Sequence, residues 1–243
     1  MSFKRDFGIS SLHLLNGYNA DIDVGTEELV PVARGTLVAS VGYVASIVSS
    51  DAADDGDPAG TGAQTATIKG IALTSYLPIE ETVTLNGTGA VTTTLANFIR
   101  INEVVVGAVG SGGTNAGTLT TSLNSQSQDV VPIGRGRSAS AVYAVPASQE
   151  AVIDRIDSSL SVASGVVTNI LFEYRSYATL AAPGPWISFD LGILKSSAEN
   201  NRLSVPVAGY LVVPPKHEFR VRFTSATANL IGSAQVYFGL RPK

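Results

Sequence analysis

The sequence predicts an all-β protein, and three observations carry that prediction. Short runs rich in Val, Ile, Thr, Ala and Tyr recur along the chain and are cut by Gly, Pro, Asn and Asp, which is how strands and turns alternate. Some runs alternate polar and apolar residues, as Glu81-Thr82-Val83-Thr84-Leu85 does, matching a strand with one buried face. The helix-like stretch Leu12 to Leu15 is bracketed by Gly8 and Gly17, too closely for a stable isolated helix.

In chain order, residues 1–25 mix polar and apolar character without a sustained period. They read either as an extended arm that docks on a neighbour or as a locally packed or frayed terminus. Strands are expected at Thr36–Val41, Val44–Ser49, Gln64–Leu73, Ile79–Leu85, Phe98–Val109 and Gly117–Leu123. Asn86-Gly87 follows the alternating run at once and suits a tight hairpin turn, because both residue types tolerate positive φ. The unalternated Val104-Val105-Val106 predicts a strand covered on both faces. The polar stretch Asn124-Ser125-Gln126-Ser127-Gln128-Asp129 reads as a boundary between halves, or as a long loop within one sandwich.

Beyond it, strands are expected at Ser138–Val145, Ala151–Ser161, Val166–Tyr177, Trp186–Leu194, Leu203–Val213, Glu218–Thr224 and Leu230–Leu240. Seven or eight short strands over about 100 residues make one β-sandwich, the jelly roll included. The expected organisation is an N-terminal arm (1–25), a first β-sandwich unit (26–128) and a second, jelly-roll-like unit (129–243).

Composition excludes several classes. With 44% hydrophobic and 15% charged residues the chain is too apolar for disorder, and no run approaches the roughly 18 apolar residues of a membrane helix. Met1-Ser2-Phe3-Lys4-Arg5-Asp6 is not followed by an apolar segment, so the chain is expected to stay where it is made. The absence of Cys removes disulfides, thiolate nucleophiles and cysteine metal sites. A net charge of −4 without a basic stripe argues against nucleic-acid binding.

The residues that might carry chemistry are few. Asp51, Asp54, Asp55 and Asp57 crowd a Gly-containing loop, the composition of a calcium loop. Ala53 and Gly62 break the EF-hand pattern, which leaves a non-EF-hand calcium loop or a solvated connection. Gly110-Ser111-Gly112-Gly113-Thr114-Asn115-Ala116-Gly117 lacks the Lys and the following helix of a phosphate loop and reads as a strand-connecting turn. His13 and His217, the two imidazoles, sit in no hydrolase or metal pattern.

Glu27-Glu28, Glu80-Glu81 and Asp154 with Asp157 are the acid pairs that glycosidic chemistry would need, although surface acids are common. Phe219-Arg220-Val221-Arg222-Phe223 puts two arginines on one strand face, toward solvent or a partner. Gly134-Arg135-Gly136-Arg137 is a flexible charged loop able to approach a partner's carboxylate. Trp186, near Tyr174 and Tyr177, is either part of a sugar-stacking platform or a core residue or interface anchor. Asn86-Gly87-Thr88 matches a glycosylation acceptor but reads as a turn. No catalytic, cofactor-binding or metal-binding set, and no cofactor, is expected.

The succession Gly60-Thr61-Gly62-Ala63-Gln64-Thr65, Glu81 to Thr88, Phe98-Ile99-Arg100-Ile101-Asn102 and Gly110 to Thr118 resembles, in order and spacing, a family of tailed-bacteriophage virion proteins frequent in aquatic phages. Val142-Tyr143-Ala144-Val145-Pro146-Ala147 and Arg220-Val221-Arg222 with Thr224-Ser225 continue it, with Ser148 and Phe223 departing from the family's Gly and Ala. The resemblance spans roughly residues 20–240. It implies a structural virion component, commonly an auxiliary capsid (cement or decoration) protein on the exterior of the head, assembled in the host cytoplasm. Expected partners are the major capsid protein and copies of the chain itself, a trimer favoured, with neither nucleic acid nor membrane. The alternatives are a tail, fibre or spike protein that binds a host glycan, and a head–tail adaptor.

Overall fold

A computed structural model describes residues 8–23, 25–28, 41–161, 167–177, 183–195, 202–226 and 229–243. Every regular element among them is a strand: β1 (Ser11–Ile22), β2 (Gly25–Glu28), β3 (Ala45–Ser49), β4 (Thr65–Ala72), β5 (Pro78–Thr84), β6 (Val91–Thr92), β7 (Phe98–Val106), β8 (Leu119–Leu123), β9 (Gln126–Val131), β10 (Val142–Ala144), β11 (Gln149–Ser161), β12 (Val167–Ser176), β13 (Ile187–Lys195), β14 (Arg202–Val213), β15 (His217–Ser225) and β16 (Leu230–Pro242). The expected strand at Thr36–Val41 lies outside the described residues except for Val41.

β1, β2 and β10–β16 form one compact unit. Its two sheets run β1-β16-β11-β14 and β10-β15-β12-β13, with β2 also on β15. β2 lies along Arg222–Ser225 and β10 along Glu218–Arg220, successive stretches of one edge of β15, so together they are a single interrupted strand. With that strand counted second, the sheets read first-eighth-third-sixth and second-seventh-fourth-fifth. That is the strand order of a jelly roll, an eight-stranded double sheet of two Greek keys. Inward-facing residues of both sheets share one core, including Ile153, Ile156, Val236 and Phe238 from one and Ile170, Phe172, Phe219, Val221 and Phe223 from the other. Phe219 stacks on Phe172 at 5.5 Å and meets Phe238 edge-on at 5.3 Å, geometries that aromatic quadrupoles favour.

β3–β9 form the second unit, a smaller sandwich of sheets β6-β3-β8-β9 and β5-β4-β7. Its core joins Ile47, Leu119, Leu123 and Val131 to Ala66, Ile68, Phe98, Ile101 and Val104. β7 is buried on both faces, but over Phe98–Asn102 rather than at Val105 and Val106.

Three expectations are corrected. The segment read as an arm supplies, through Ser11–Ile22, the first strand of the jelly roll, paired antiparallel with β16 from Ser11↔Leu240 to Ile22↔Leu230. The polar stretch Asn124–Asp129 is no boundary: Asn124 and Ser125 adopt positive φ, and β8 turns there into its partner β9. The units instead divide between Ala139 and Ser140, with β3–β9 inserted between β2 and β10 rather than following in tandem. A jelly roll cannot close without its first strand, so the N-terminal residues belong with the C-terminal half. Finally, Asn86-Gly87 is a tight turn, with Gly87 at φ 51, but it makes no hairpin. β5 pairs with β4, whereas β6, beyond the turn, pairs with β3 in the other sheet.

Candidate functional site

Two constellations gather the chemically capable side chains, one in each unit. In the inserted unit the acidic loop between β3 and β4 folds around Asp54, which is fully buried. Its carboxylate accepts hydrogen bonds from the backbone N–H groups of Ala63 and Ala116 at 2.7 Å each. It accepts two more from the Ser49 hydroxyl at 2.6 Å and the Gly117 N–H at 2.8 Å. Four donors on two oxygens nearly saturate an ionised carboxylate, and charge-assisted bonds of this kind are the strong ones. Asp54 therefore ties the acidic loop to the Gly-rich loop before β8.

The glycines on both sides serve that approach. A Cβ on Gly62 would lie 2.2 Å from the Asp54 Oδ1, and one on Gly117 would lie 2.5 Å from the Ser49 hydroxyl oxygen. Asn115, also buried, extends the network. Its amide donates to the carbonyls of Gly117 at 2.7 Å and Pro132 at 2.9 Å, while its Oδ1 accepts from the Gly136 N–H at 2.9 Å.

The acidic loop is thus a hydrogen-bonded joint. Asp51 and Asp55 accept the N–H groups of Ala53 and Asp57, at 2.8 and 2.9 Å, as turn-forming aspartates do. Among the described residues no group of three or more His, Cys, Asp or Glu side chains is placed to hold a metal ion. Burial alone would raise the Asp54 pKa, but the bonds from Ser49, Ala116, Gly117 and Ala63 together outweigh it and hold it below its ordinary value.

The second constellation occupies the outer face of the jelly-roll sheet built on β15. Phe219, Val221 and Phe223 point into the core as the alternation predicts, but the opposite face is not a solvated one. Arg220 is 8% exposed and lies directly across from Glu173, 5% exposed. Glu173 accepts from Arg220 Nε at 2.6 Å and from the Ser188 hydroxyl at 2.7 Å, with Arg222 at 3.5 Å. One register step away Arg175 pairs with Glu218 at 2.6 Å. The Trp186 ring lies against both cations, 3.6 Å from the Arg220 and 4.2 Å from the Arg175 guanidinium carbon, in cation–π contact. Desolvation pushes the Glu173 pKa up, yet Ser188, Arg220 and Arg222 outweigh it and the net shift is downward.

Removing one partner of such a buried pair leaves the other charge uncompensated. Glu173→Gln is expected to cost about 3 kcal/mol of jelly-roll stability. It should also shift the emission of Trp186, the single tryptophan of the chain. Denaturant melts followed at that emission check both.

The three aromatics do not form one platform. Tyr177 is fully buried with its hydroxyl bonded to the Val145 carbonyl at 2.7 Å. Tyr174 lies on the core side, stacked on Phe189 at 5.8 Å, and Trp186 contacts outer-face cations. The remaining candidates are scattered. His13 stacks on Phe238 at 5.1 Å and bonds Ser11. His217 Nδ1 lies 2.8 Å from the Pro215 carbonyl. Glu81 accepts from the Thr94 and Leu95 N–H groups, while Glu80 lies opposite Lys69 in register.

Asp154 sits at the β-bulge of β11, whereas Asp157 pairs with Arg155 at 2.9 Å. Glu27 and Glu28 belong to β2, their side chains outside the described set. Arg137, in the loop read as an approach to a partner's carboxylate, pairs with the chain's own Glu103 at 2.7 Å. The buried joint of Asp54 and Asn115 was not legible as such; the glycines spaced around both loops were its one sequence signal.

No protein-family model matches the sequence, and a comparison with curated proteins finds no match. Among solved structures the chain is similar to the VP2 subviral particle of infectious bursal disease virus, at 10% identity and TM-score 0.30, covering 96% of this chain and 72% of that one. It is also similar to the structure of the Gx strain of that virus, at 10% identity and TM-score 0.28, with 96% and 72% covered. At that level the likeness carries no argument, and the jelly-roll assignment rests on strand order alone.

Proposed function

We propose that the chain is a non-enzymatic structural protein of a bacteriophage virion, an auxiliary capsid protein on the head exterior that clamps contacts between major capsid subunits. One observation carries the reading: the carboxylates, arginines and aromatics assembled in both units are engaged in holding this chain's own strands and loops together. That suits a rigid brick, in which weak interfaces add through simultaneous engagement of many copies. The resemblance of the Gly-rich loops and strand segments to tailed-phage virion proteins supports it. Cyclic assembly, three copies favoured, fits the usual closure of homo-oligomers. The glycan-binding alternative loses support, since Trp186, Tyr174 and Tyr177 do not share a face.

The test is localisation in intact particles by cryo-electron microscopy, together with the heat stability of heads lacking the chain. Density at contacts between major capsid subunits, and heads that rupture at lower temperature without it, are expected. Density confined to the tail, or absence from purified particles, would reject the proposal.

A further inference from the structure

We propose that the outer edge of β13 pairs antiparallel with the same edge of a second copy of the chain. Among the described residues β13 is the last strand of its sheet, and a terminal strand presents a row of backbone donors and acceptors that serves as a template for a further strand. Proteins blunt such edges with charges and prolines. β5 carries Pro78, Glu80 and Glu81, and β14 carries Arg202 and Pro206. From Ile187 to Ile193, β13 has a single charge, Asp190, and no proline.

Its inward-facing side chains are also uncovered. Phe189 lies opposite the fully buried Phe172 and Ile187 opposite Tyr174, so both face the core side, yet Ile187 is 48% and Phe189 39% exposed. At β1, the edge of the other sheet, the inward-facing His13 and Leu15 are half-buried instead.

The residue pattern selects a copy of itself and one register. With Phe189 at a two-fold axis, Ile187 meets Leu191 of the second copy on the inner face. On the outer face Ser188, whose hydroxyl proton goes to Glu173, then lies opposite Asp190 of that copy, so no two charges are opposed. Moving the axis to Asp190 would oppose two carboxylates, which cross-strand pairing disfavours. The bulge of β13, whose extra residue is Leu191 between Asp190 and Gly192 (φ 126), ends the regular segment at the last of the paired residues. The inference does not depend on virion placement: a chain found on the particle as a monomer would overturn it and leave that placement intact.

The absence of Cys makes single-cysteine trapping clean. Residues directly opposite in an antiparallel pair have Cα atoms roughly 4.5 or 5.5 Å apart, within disulfide reach. Under mild oxidation Phe189→Cys is expected to form a covalent dimer at least about tenfold faster than Ser188→Cys or Asp190→Cys alone, because pairing holds the thiols at high effective concentration. A mixture of those two variants should cross-link preferentially to each other. Phe189→Cys reacting no faster than a cysteine at the exposed turn residue Thr74 would overturn the proposal. As a check independent of that variant's folding, sedimentation of the unaltered chain should show concentration-dependent pairing, either of single chains or of the three-copy rings proposed above. Ile187→Lys should abolish it while leaving Trp186 emission unchanged. An unaltered chain that stays monomeric at the highest concentrations would likewise reject it.

Discussion

Replacing Asp54 with Asn is expected to destabilise the inserted unit by about 3 kcal/mol, the scale of leaving buried donors unsatisfied and losing a charge-assisted bond. Each carboxylate oxygen of Asp54 accepts two donors. Whichever way an amide is oriented, its NH2 group faces two groups that can only donate or now lack their acceptor. The loops before β4 and β8 should loosen together, seen as faster amide exchange at Ala63, Ala116 and Gly117. Trp186 lies in the other unit, so its emission reports separately that the jelly roll is intact.

The same hub gives the inserted unit an acid limit. Because the folded-state pKa of Asp54 lies below its ordinary value, its contribution is complete above the unfolded value of about 3.9. It is lost as pH falls through the folded value. The Asn variant should show a shallower loss of stability across that acidic window. Identical pH slopes in the two proteins would show that the carboxylate is not the element holding the loops.

Deleting residues 1–22 is expected to abolish cooperative folding of the jelly-roll unit. β1 pairs with β16 over nearly the whole strand, Ile22 is fully buried in the shared core, and Leu15 packs against it. Truncating one buried Leu or Ile typically costs about 2–5 kcal/mol, and whole domains are stable by only about 5–15 kcal/mol. Losing the strand removes both side chains and bares the β16 backbone. The measurement is a denaturant melt followed at Trp186. A sharp transition at the wild-type midpoint would mean that this segment is dispensable, as a docking arm would be.

Much of the strand pattern is legible in sequence because strands with one buried face print their geometry as alternation. Phe219-Arg220-Val221-Arg222-Phe223 and Glu81 to Leu85 are of this kind. β1 is not, because its exposed positions carry Leu12 and Leu14 while half-buried His13 and buried Gly17 face inward, which inverts the usual signal. β9 is hidden for a related reason: Gln128 and Asp129 are buried, made tolerable by local bonds such as that between Asp129 and the Ser138 hydroxyl. Alternation identifies a strand's faces but not its neighbour, so the jump of the chain between sheets after Asn86-Gly87 left no trace.

The same limit applies to the two constellations. The acidic cluster and the glycine loop are visible 62 residues apart, as Asp54 and Ala116 are, but only folding brings one's carboxylate to the other's amides. Glu173 and Arg220 face each other because β12 and β15 pair in one register.

By itself the amino-acid sequence determined that the chain is all β, where most of its turns fall, and that cysteine and clustered-histidine chemistry are closed to it. These are local properties, set by side-chain shape, backbone freedom and polarity over a few residues. Tertiary structure alone decided that the first strand completes the last sandwich, that one unit is inserted into the other, and that Asp54 is a joint. Those outcomes depend on which distant surfaces bury each other, a long-range choice that no short stretch of residues encodes.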